Sequence, residues 1–89
     1  MSYPSMSDKT TRRMVAYKVC NDVRSYKNSI EITDSLYESG MVLDLSEIEA
    51  LKSIIDRRIH EHNVHHLTIS MSDLISNIKR DIAYFWGRF

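Results

Sequence analysis

Residues 41–62, MVLDLSEIEALKSIIDRRIHEH, decide the fold. Leu45, Ile48, Leu51, Ile55 and Ile59 recur at steps of three and four, with Ile54 beside them. That spacing follows the 3.6-residue turn of an α-helix and gathers the apolar side chains on one face. Asp44 with Glu47, or Ser46 with Glu49, has the spacing of a capping box. Acids crowd the start of the stretch, while Arg57 and Arg58 stand near its end, as the helix macrodipole favours. The pattern predicts a helix over 46–62 with a buried apolar face.

On the N-terminal side, Val15, Val19, Val23, Tyr26 and Ile30 form a second stripe, with Met14, Ala16 and Cys20 alongside. A helix over 9–28 follows, capped by Ser7 or Asp8. Its valines lower helix propensity by only tenths of a kcal/mol each, so the periodicity prevails. In NSIEITDSLYESG, residues 28–40, the stripe continues through Ile30, Thr33, Leu36 and Tyr37 and stops at Gly40, a good C′ residue. This predicts helix over 29–39, nearly continuous with the first and kinked near Asn28–Ser29; a short strand at SIEIT is the alternative.

On the C-terminal side, Asn63 can adopt the left-handed conformation that ends a helix. Val64, Leu67 and Ile69 read as apolar plugs in the connection. Thr68, Ser70 or Ser72 caps a last helix over 71–86, and Ser70 with Asp73 resembles a capping box. Leu74, Ile75, Ile78, Ile82, Phe85 and Trp86 line one face of it. The expected core is Val15, Val19, Val23, Leu36, Leu45, Ile48, Leu51, Ile55, Ile59, Leu74, Ile78, Ile82 and Phe85.

Composition agrees. At 89 residues the chain makes one domain, with residues 1–8 a disordered polar arm and 9–89 a single helical domain. Gly40, Gly87 and Pro4 are the only glycines and proline, too few for the turns of an all-β domain. The fold class is therefore all-α, a small three- to four-helix bundle. Net charge is zero, which leaves little repulsion between copies, so self-association as a homodimer is expected. Cys20 is the one cysteine and forms no internal disulfide. The N-terminus lacks the apolar core of a secretory signal, and no apolar run approaches the roughly 20 residues of a membrane helix, which points to the cytoplasm and away from a membrane.

The charges fall in blocks. Residues 1–30 carry Lys9, Arg12, Arg13, Lys18, Arg24 and Lys27 against Asp8 and Asp22, a balance of +4. Residues 31–56 carry seven acids against Lys52, a balance of −6, and residues 57–89 return +2. Such blocks either neutralise each other where acidic and basic helices pack together, or keep a basic face free for an anionic partner.

All four histidines fall in His60–His66. His62 and His66 have the i, i+4 spacing of paired metal ligands, but a zinc site needs a third ligand, and H-E-x-x-H fails at Val64. End-of-helix residues are the simpler reading, and no metal or cofactor is expected. A pH switch would need a bistable element, and none is evident. Cys20 lies on the apolar stripe, where a thiol acts as a small hydrophobe. No G-x-S-x-G or glycine-rich phosphate loop is present, so no catalytic residue is assigned. Two binding elements remain. Tyr84, Trp86, Arg88 and Phe89 combine aromatics with arginine, as interface hot spots do, and are assigned to a protein partner. Arg12, Arg13, Tyr17, Lys18, Arg24 and Lys27 interleave cations with tyrosines and are assigned, as the alternative, to an anionic ligand. The expected function is a small non-enzymatic regulator, an inhibitor or adaptor that binds a protein through helical surfaces. The alternative is a nucleic-acid- or nucleotide-binding regulator that uses the first helix.

Overall fold

The computed structural model describes residues 9–41 and 44–87, without the side chains of Lys9 and Trp86. The expected polar arm over 1–8 and its capping residues Ser7 and Asp8 lie outside the described residues, as do Arg88 and Phe89. Four helices form: α1 Lys9–Arg24, α2 Ser29–Glu38, α3 Leu45–Val64 and α4 Met71–Gly87. There is no strand among the described residues, and SIEIT lies in α2.

The helices pack in a ring: α1 touches α2 and α4, and α3 touches α2 and α4. Val23 near the end of α1, Ser29 at the start of α2, Ile59 and His62 late in α3, and Leu74 early in α4 line one cleft. Successive helices therefore alternate in direction, as in an up-and-down bundle. The stripes meet at the centre, where Val15, Val19, Ile32, Leu36, Leu51, Ile55, Ile78 and Ile82 are buried with Cys20 and Leu74. Each such aliphatic side chain contributes about 1.5–3 kcal/mol relative to an exposed one.

Local chemistry sets most helix ends. Asp44 caps α3, its N–H donating to Glu47 Oε1 at 2.9 Å, which selects that pair over Ser46 and Glu49. Ser70 and Asp73 make the expected reciprocal box: Ser70 N–H donates to Asp73 Oδ2 at 3.2 Å, and Asp73 N–H to Ser70 Oγ at 3.1 Å. Asn28 caps α2, its side chain accepting from Glu31 N–H at 2.9 Å. At the end of α2, Gly40 N–H donates to the Tyr37 carbonyl and Met41 N–H to that of Leu36, a Schellman motif with Gly40 at φ +82°.

The end of α1 departs from expectation. The helix stops at Arg24, four residues early, and the chain turns before α2 rather than kinking. Tyr26 N–H donates to the Val23 carbonyl and Lys27 N–H to that of Asp22, the same motif as at Gly40. Here the left-handed position is held by Tyr26, at φ +60°. The turn rotates Tyr26 and Ile30 off the stripe, and both are exposed.

Other core assignments also need correction. Leu45 is 72% exposed, because it opens α3 one turn beyond the packed layer. Ile48 is only half-buried, and Ile59 and Phe85 pack against the core from its margin. Asn63 stays helical, α3 runs to Val64, and His65 caps it. Val64 and Leu67 are exposed rather than plugging the connection, and Ile69 is half-buried.

Candidate functional site

Arg13, Tyr17 and Arg24 share one face of α1 at spacings of four and seven, and all three are exposed. Ser72, Ser76, Lys79 and Ala83 share the outer face of α4 at spacings of four, three and four, and are also exposed. The helices α1 and α4 pack side by side, and Lys79 is the member of the α4 row that meets the α1 row. Lys79 Nζ lies 5.6 Å from the centroid of the Tyr17 ring, a cation–π distance. Arg13, Ala16, Tyr17 and Lys79 line one shallow depression. Beneath them Cys20 is buried, and Lys79 and Arg24 both act on its thiol. The two rows hold three cations, one aromatic ring and two hydroxyls, with no acid among them.

Ion pairs join Arg57 and Arg58 to Asp81, Arg58 to Glu61, and Lys27 to Asp22. Among the described residues, none engages Arg13, Lys18 or Arg24. The anionic-ligand set named from sequence therefore splits. Arg13, Tyr17 and Arg24 stand on one face. Lys18 is half-buried on another flank of α1, Arg12 is half-buried, and Lys27 is 3.6 Å from the carboxylate of the buried Asp22. Lys79, Ser72 and Ser76 were missing from that set. Their helical spacing was readable, but that α4 packs beside α1 was not.

The C-terminal set is less defined. Tyr84 is exposed on α4, while the side chain of Trp86 and all of Arg88 and Phe89 lie outside the described residues. His60, His65 and His66 are exposed and His62 is half-buried; since α3 ends at Val64, His62 and His66 do not share a helical face. Among the described residues, no group of three His, Cys, Asp or Glu is placed to hold a metal. Burial pushes the Cys20 thiol above its usual range, and Lys79 and Arg24 only partly oppose this. No helix among the described residues is long and apolar enough to cross a membrane.

Comparison with family models, curated proteins and solved structures returns no match for the chain.

Proposed function

We propose that the protein is a non-enzymatic binding module that takes the phosphate backbone of a nucleic acid across the α1–α4 face. One observation carries this reading: Arg13, Lys79 and Arg24 line two adjacent helical rows with Tyr17 and the Ser72 and Ser76 hydroxyls, and no acid interrupts them. Arginine, lysine, serine and tyrosine are the side chains that contact phosphate oxygens. Arg13 and Arg24 are eleven residues apart on one helix, about 16 Å along its axis. That length spans a few consecutive phosphates.

An acidic protein is the competing partner. A stable protein interface wants an apolar or aromatic centre, and Tyr17 is the one large ring these rows offer. The acidic α2 nearby and the zero net charge remove long-range attraction, so binding depends on local contacts. Three phosphate contacts on a single strand give a log–log salt slope of about −2.

The test is fluorescence anisotropy of a labelled single-stranded oligonucleotide over a salt series. Binding with that slope is expected, and the exposed triple variant Arg13→Ser, Arg24→Ser, Lys79→Ser should lose it while keeping its helical spectrum. Salt-independent binding, or none, overturns the proposal. Binding lost in Tyr84→Ala but kept in the triple variant transfers the function to the C-terminal end of α4.

A further inference from the structure

We infer that the cleft at the α1–α2 turn end of the bundle holds one unpaired base of a single strand. This deepens the proposed function and rests on it. The cleft has a volume of about 280 Å³. That is just below the roughly 300–1,000 Å³ of pockets for drug-sized ligands, so it suits one heteroaromatic ring system. Val23, Ile59, Met71 and Leu74 supply apolar walls. Tyr26, Asp56, His62 and Asn63 supply the polar and aromatic lining.

Position links the cleft to the cationic face. Val23 in the wall is followed directly by Arg24, and Met71 directly by Ser72. Arg24 closes α1 and Ser72 stands in the first turn of α4, the two helix ends at the cleft, so a strand laid along Arg13, Lys79 and Arg24 runs toward it.

The lining matches a base edge. His62 Nδ1 is buried and has no hydrogen-bond partner. A buried nitrogen left this way is costly, and a turn of the half-buried imidazole that brings Nδ1 round to the cleft lets a ligand N–H remove the cost. With its proton on Nε2, the imidazole accepts at Nδ1. Asp56 accepts amino protons, and the Asn63 amide both donates and accepts. These groups read the exposed edges of unpaired bases.

Tyr26 is the independent sign. It holds a left-handed backbone at φ +60° and is 85% exposed. Glycine adopts that conformation without the clash of a Cβ, and glycine fills the equivalent position at the end of α2. A strained aromatic at the mouth of a cleft points to a role for its ring. Stacking on a base is that role, and base–aromatic stacking tolerates any sequence. A duplex would have to unstack and unpair a base to use the cleft.

The experiment compares a labelled mixed-sequence 15-mer with a hairpin duplex of the same sequence, using the full chain. The single strand should bind about tenfold more tightly, the scale of one stacked base. Tyr26→Gly should raise the thermal midpoint by relieving the backbone, yet weaken single-strand binding about tenfold and leave duplex binding unchanged. A merely structural tyrosine would move stability and affinity together. His62→Ala should likewise reduce the preference for the single strand. Equal affinity for both forms with an intact salt slope, or a preference untouched by both variants, overturns the cleft assignment while the phosphate reading stands. Binding of neither form overturns both.

Discussion

Arg58 and Asp81 are clamped across the α3–α4 contact: the guanidinium Nη2 donates to Oδ1 at 2.9 Å, and Nε donates to Oδ2. Arg57 adds a third bond to Oδ2 at 3.2 Å. The hydrogen bond from Arg58 is the main reason the Asp81 carboxyl sits below the usual carboxylate range, against an opposing effect of burial. A carboxyl whose folded pKa is depressed stabilises the fold above its unfolded pKa, about 4, and loses that contribution as pH falls through the folded value. Asp81→Asn should therefore cost about 2 kcal/mol at pH 7, the scale of charge-assisted hydrogen bonds. Urea melts should show the gap between wild type and variant narrowing as pH is lowered below about 4.

Gly40 permits a second test. Its φ is +82°, and a Cβ built there meets nothing within 4 Å. The cost of Gly40→Ala is then purely conformational, about 1 kcal/mol. The denaturation midpoint should fall with an unchanged m-value.

Two leucines on α3 separate periodicity from burial. Leu51 is fully buried and Leu45 is largely exposed, though both sit on the same apolar stripe. Leu51→Ala should cost about 2–5 kcal/mol. Leu45→Ala should stay within about 0.5 kcal/mol of wild type. Thermal melts of the pair check this directly.

Cys20 should resist modification. Its side chain is buried, and burial holds the thiol protonated above its usual range. The thiolate is the reactive form, so a thiol reagent should label the native protein slowly and the unfolded protein at once. Fast labelling of the native protein would place Cys20 at the surface.

Element existence was legible because burial imposes a period. The Ser70–Asp73 box, the Asp44–Glu47 box and Gly40 carried local signals strong enough to set ends. The end of α1 carried none: Tyr26 in a left-handed turn is a residue that propensity argues against, and the turn is closed by backbone bonds to Val23 and Asp22 that any residue can make. Leu45 failed for a different reason, since periodicity reports a face and not how far the core extends along it. The cations of the candidate face were readable as Arg13 and Arg24, but Lys79 joins them only through the α1–α4 contact. His62 stood out by its cluster, whereas what distinguishes it is an unsatisfied nitrogen that only packing could reveal.

The claim that the α1–α4 face is the working surface is tested most directly by amide chemical-shift mapping while a single-stranded oligonucleotide is added at low salt. The account predicts the largest changes at Arg13, Tyr17, Arg24, Ser76 and Lys79, reversed by added salt. Changes gathered on α2 and the first half of α3, or none at all, would contradict it.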